Sequence, residues 1–149
     1  MSPVEILDHL IEVCVDSEKR FQHAARDVGR ADLETFFKQQ ATNRKAAADQ
    51  LAAERARMGV VKEESGTFGG LVDRAEMDLS VVMSKGDSGV VEWCREDAEK
   101  VAAEYEKHLN GSGDLPPALR PILQQQLKTV RNTIAELDRV LRTYGGPRS

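Results

Sequence analysis

What most constrains this chain is that its apolar residues recur at steps of three and four in four long runs, separated by two short breaks and one long one. The first run carries Leu7, Leu10, Ile11, Cys14, Phe21, Ala25 and Val28, with Glu18 on the same stripe. The second carries Leu33, Phe37, Ala41, Ala47, Ala48, Leu51 and Met58, together with Gln40 and Arg44. Val90, Cys94, Ala98, Val101, Tyr105 and Leu109 make the third, with Asp97 among them, and Leu119, Leu123, Leu127, Val130, Ile134, Leu137 and Leu141 the fourth, with Gln126. This spacing keeps step with a helix of 3.6 residues per turn and with no strand, so it predicts four amphipathic helices that must bury their stripes against one another.

The breaks predict how the helices connect. Ser2-Pro3-Val4-Glu5 has the order of a capping box and opens helix 1. Gly29 is expected to stop that helix in a left-handed turn, and Asp32 to cap the next, so helices 1 and 2 form an antiparallel hairpin. Helix 2 is expected to end near Gly59. Asn110-Gly111-Ser112-Gly113 separates helices 3 and 4, and Asp114-Leu115-Pro116-Pro117 opens the last one. Between the hairpins, Val60 to Gly70 is rich in glycine, and Phe68, Leu71, Val72, Ala75, Leu79, Val82 and Met83 predict a short extra helix before a turn at Lys85–Gly89, where Asp87 or Ser88 caps helix 3. Two antiparallel hairpins joined by one long crossover is the connectivity of a ferritin-like four-helix bundle. Residues 1–144 are expected to form a single such domain, with 145–149 a flexible C-terminal tail.

The chain has 149 residues, of which 40% are hydrophobic, 31% charged and 5% aromatic, enough for one core. A formal net charge of -4 gives no overall positive field, so a nucleic-acid partner is not expected. No apolar run is long enough to span a bilayer and the first residues lack a basic region, which predicts a cytoplasmic protein with no membrane association. Cys14 and Cys94 are expected to be free thiols acting as small buried hydrophobes, and Tyr105 a core residue.

A carboxylate di-metal centre in such a bundle draws on Glu-x-x-His pairs. The residues three before His9, His23 and His108 are Ile6, Arg20 and Tyr105, so the chain contains no such pair. No catalytic residue, metal ligand or cofactor is therefore assigned. Glu18, Gln40, Arg44, Asp97 and Gln126 are expected to form an interior polar layer, in which Arg44 is the cation paired with Glu18, Asp97 or both, although edge positions that snorkel to water are the competing reading. His9 and His23 lie off the stripe and read as surface groups; Glu104 and His108, four apart near the end of helix 3, make at best a weak metal clip.

The order Cys14-x-Asp16 with Phe21, the short turn into Asp32-Leu33 and Phe36-Phe37, Gly66-Thr67, Cys94 with Tyr105, and Leu115-Pro116-Pro117 leading to Gln126 resembles a bacterial family of uncharacterised ferritin-like four-helix proteins, a domain of unknown function. The resemblance runs from about Val4 to Leu141. It departs where relatives often have His-Arg and this chain has Asp73-Arg74, and at Ala98, Gln124 and Ile134, near which relatives often carry Glu, Glu and His. What the resemblance and the residues together imply is a non-catalytic structural or interaction protein, expected to be a homo-oligomer, whose protein partner they do not identify. The alternative is a metal-binding or peroxide- and stress-related bundle with a nonstandard or intersubunit site.

Overall fold

The computed structural model describes residues 2–59, 86–111 and 115–145. The described residues contain helices and no strand: α1 (Pro3–Asp27), α2 (Ala31–Arg57), α3 (Gly86–Asn110) and α4 (Arg120–Val140), followed by a π-helical turn, Leu141–Gly145. The crossover helix expected within residues 60–85 and most of the expected tail lie outside the described residues. No helix among the described residues is long and apolar enough to cross a membrane.

Contacts between elements define the bundle. Phe21 and Phe37 stack with ring centroids 6.0 Å apart and Asp8 pairs with Arg55, so α1 and α2 are antiparallel. Along α1 and α3, His9 meets Glu104, Cys14 meets Tyr105 and Ser17 meets Asp97, which is antiparallel again. Arg95 pairs with Asp138 and Arg131 with Glu106, which runs α4 antiparallel to α3. Gln40 bonds Thr133 and Gln50 bonds Gln126, which sets α4 antiparallel to α2. Those four pairings leave α2 and α3 parallel and diagonal, and a single long connection must carry the chain from one end of the bundle to the other.

Each stripe closes on one core, in which Leu7, Leu10, Leu33, Leu51, Leu123 and Leu137 are among the fully buried side chains. Burying a side chain of this size is worth about 1.5–3 kcal/mol relative to leaving it exposed, so the shared core supplies the helices with the stability their isolated propensities lack.

The caps show where local chemistry differs from expectation. Ser2 does close a capping box with Glu5. Gly29 is not left-handed: α1 ends at Val28 in extended backbone, and among the described residues the positive-φ glycines are Gly59 (φ 74°) and Gly86 (φ 76°). Both flank the long connection, in a conformation that residues other than glycine rarely adopt. Asp32 is not the N-cap of α2; that place is taken by Arg30, whose side chain makes no capping bond. The Asp87 carboxylate, from α3, instead holds the turn that precedes α2, accepting the Gly29 N–H at 2.9 Å and the Arg30 N–H at 3.2 Å. Because Asp87 already lies in the first turn of α3, it does not serve as that helix's own cap. The fourth helix begins at Arg120, later than the Pro116-Pro117 signal suggested, because Pro121 has no N–H to donate and so fits a first turn but not a helix already under way.

Candidate functional site

Two polar levels occupy the bundle. The deeper one lies midway along α1. Ser17 Oγ donates to Asp97 Oδ2 at 3.1 Å, and Arg20 Nε donates to Asp97 Oδ1 and to Asp16 Oδ2, each at 3.1 Å. The Arg20 guanidinium also sits 5.0 Å from the centroid of the Trp93 ring. Burial raises the pKa of Asp97 to about 6; the Arg20 charge works in the opposite direction without overcoming it, and Asp16 adds to the rise.

A second chain of bonds crosses the same level. The Tyr105 hydroxyl donates to Gln126 Oε1 at 2.6 Å, which leaves Cys14 Sγ, 3.1 Å away, as donor to the Tyr105 oxygen. Gln126 Nε2 continues to Gln50 Oε1 at 2.7 Å and the Ala47 carbonyl at 3.3 Å. Thr133 donates to Gln40 Oε1 at 2.8 Å. Burial pushes the Cys14 and Cys94 thiols up and keeps both protonated at neutral pH, so neither is an activated nucleophile.

Of the five residues read from sequence as an interior layer, Gln40, Arg44, Asp97 and Gln126 are buried and Glu18 is not. Glu18 lines an open groove of about 480 Å³ between α1 and α2 and accepts a bond from Gln22. Ser17 takes the inward place, three residues after Cys14 and four before Phe21. The expected pairing of Arg44 with Glu18 or Asp97 is absent. Asp97 is held by Arg20, and Arg44, only 2% exposed, has a buried Nε without a hydrogen-bond partner. A carboxylate di-metal centre does not fit this level, because its buried acid is already engaged by a guanidinium and a second guanidinium lies beside Tyr105 and Cys14, whose ionisation it favours.

The second level is near the α1 start and the α3 end. His9 Nε2 is 2.8 Å from Glu104 Oε1, and the His9 and His108 rings meet edge to face at 5.8 Å. One ligand atom from each of His9, Glu104 and His108 lies within 4.8 Å of the others, the arrangement of a three-ligand metal site. His108 is 9% exposed, and its Nε2 is buried without a hydrogen-bond partner. Burial lowers its pKa, assisted by Lys107 and His9 and opposed by Glu104, so the ring is neutral at neutral pH and keeps a lone pair. For Glu104 burial acts upward, but bonds and charge from Lys107 and His9 prevail and hold the carboxyl below its usual range. A neutral imidazole beside an ionised carboxylate is the protonation state a metal ion requires.

Helical spacing brings Glu104 and His108 together, four apart on one helix, but puts His9 among the surface groups. His9 lies one residue from Leu10 on α1 and meets Glu104 only through the antiparallel register of α1 with α3.

A family model described as Domain of unknown function (DUF2383) matches residues 2–111. The chain belongs to this family. The DUF2383 match takes in α1, α2 and α3, and with them His9, Arg44, Asp97, Glu104 and His108; Gln126 and Thr133 on α4 lie beyond it. No curated protein matches the chain significantly.

Proposed function

We propose that this protein is a ferritin-like, non-catalytic four-helix bundle that binds one divalent transition-metal ion at its end, through His9, Glu104 and His108, and uses the ion to clasp α1 to α3. Connectivity supports the ferritin-like reading, since one long connection joins parallel, diagonal helices. The observation that carries the metal reading is the convergence of His9, Glu104 and His108, one ligand atom of each within 4.8 Å of the others, together with a buried Nε2 of His108 that has no hydrogen-bond partner. Such a group costs on the order of 1–3 kcal/mol when left without a partner, and a metal ion supplies one. Two imidazoles and one carboxylate suit zinc, iron or cobalt, with a remaining position for water. The ligands come from helices already packed together, so the ion adds stability by binding the folded state. Two buried free thiols accord with a cytoplasmic setting, and self-association remains part of the proposal.

Tag-free protein, stripped with chelator and titrated with Co²⁺, should develop visible d–d absorption saturating at one ion per chain, with a rise in Tm. His9→Ala and His108→Ala should each abolish the absorption while leaving the helical circular dichroism unchanged. Absence of Co²⁺ absorption and of a Tm shift in the wild type would refute the assignment, as would two ions per chain retained in the His108→Ala variant. Mass in solution, measured with and without the ion, tests self-association.

A further inference from the structure

Arg44 is 2% exposed, lies on the inward stripe of α2, and makes no ion pair or hydrogen bond among the described residues. Its position is not a dead end. With Asn43, Ala46, Ala47, Gln50, Gln125, Gln126 and Thr129, Arg44 lines a groove of about 260 Å³ between α2 and α4, and no carboxylate is among those residues. A guanidinium is never neutralised by losing its proton at physiological pH, so it can be compensated only by an anion. The amides around it have donors to offer. Asn43 uses its oxygen to accept from Gln39, which leaves its NH₂ available, and Gln125 is exposed at the rim.

We infer that the α2–α4 groove is a binding site for a small monocarboxylate, whose two oxygens pair with the Arg44 guanidinium and whose short apolar tail lies along Ala46 and Ala47. The planar fork of the guanidinium matches a carboxylate in two parallel hydrogen bonds. One buried positive charge with neutral amides around it calls for a single negative charge; a phosphate dianion would leave an excess charge in a low-dielectric place. The site lies on the side of the bundle opposite the α1–α3 seam and does not depend on the metal proposal.

The test uses the full chain in EDTA, so that carboxylate cannot bind through a metal ion, with butyrate as probe and inorganic phosphate as competitor. Calorimetric titration should show saturable butyrate binding at one site, and melts should show a Tm that climbs with butyrate. Arg44→Met should weaken binding at least tenfold while remaining folded, and Gln125→Ala, at the exposed rim, should weaken it a few-fold. The proposal fails if wild-type protein shows no saturable butyrate binding, if Arg44→Met binds equally well, or if phosphate binds more tightly than butyrate. Should Arg44→Met not fold, an unweakened Gln125→Ala together with a butyrate-independent wild-type Tm would overturn it.

Discussion

The middle of the bundle and its His9 end both turn polar side chains inward, but they differ in how completely those groups are matched. At the middle, Asp97 is met by Ser17 and Arg20, and Tyr105 passes a bond from Cys14 to Gln126 and on to Gln50. At the end, His108 keeps a buried nitrogen without a partner, while His9 and Glu104 have side chains about a third exposed. Apart from Arg44, the middle level is matched, and its bonds fix the register of the helices. An incompletely matched one, near solvent, can accept an ion. The same contrast separates the arginines, since Arg20 holds two carboxylates and an indole face whereas Arg44, more deeply buried, holds none among the described residues.

That contrast can be broken most severely at Arg20. Arg20→Ala leaves Asp97 buried without its cation and should cost about 3 kcal/mol or more near pH 8 in urea unfolding. Much of the loss should return near pH 5, because Asp97 then takes up a proton. The sign follows from its raised folded pKa of about 6 against an ordinary 3.8: the folded state holds the proton more tightly, so this group's contribution to stability falls as pH rises from about 4 through 6. Asp97→Asn should remove that slope, and a slope unchanged in the variant would place its origin elsewhere. Next in size, Tyr105→Phe strips Gln126 Oε1 and Cys14 of their shared hydroxyl and should cost about 1–3 kcal/mol, measured the same way. A cost near zero would mean that the middle level is less tightly matched than its distances indicate.

Arg44→Met sharpens the comparison by its opposite sign. In buffer free of carboxylates it should raise stability by about 1 kcal/mol or more, since an uncompensated buried charge is exchanged for an apolar group of similar length. The smallest stability effect belongs to Lys107→Ala. Lys107 contacts Glu104 in a largely exposed ion pair at 2.9 Å, worth less than about 1 kcal/mol. The substitution should nevertheless tighten Co²⁺ binding several-fold by removing a cation that competes for the same oxygen, and unchanged or weaker Co²⁺ affinity would count against Glu104 as a ligand.

The helices, their order and the long connection were legible because four stripes with a 3.6-residue period leave little choice. Inward polar positions were legible to within one residue. The stripe that admitted Glu18 equally admitted Ser17, and helical spacing alone cannot say which edge of the apolar arc faces a neighbour. The actual burial of Ser17 brings it to Asp97, and Thr133 rather than Ile134 meets Gln40 for a similar reason. Partners were least legible. Arg20 was out of view because its partner Asp97 lies on another helix, and His9 because Glu104 and His108, which it meets, do too; both become visible only once the α1–α3 register is set. Asp87 shows the same limit, since it has the form of a local cap and serves a turn 58 residues away.

That bond from Asp87 bears on how the family can diversify. It pins the residue after Gly86, where the chain re-enters the bundle, to the tip of the α1–α2 hairpin. The entropy of closing a loop grows only with the logarithm of its length, about 0.6 kcal/mol per doubling. With the α3 landing point fixed by Asp87, a change in the length of the intervening segment adds only this small loop-closure cost. Extra residues inserted between Gly59 and Gly86 should therefore leave the start of α3 in register with the hairpin tip for as long as the Asp87 bonds hold.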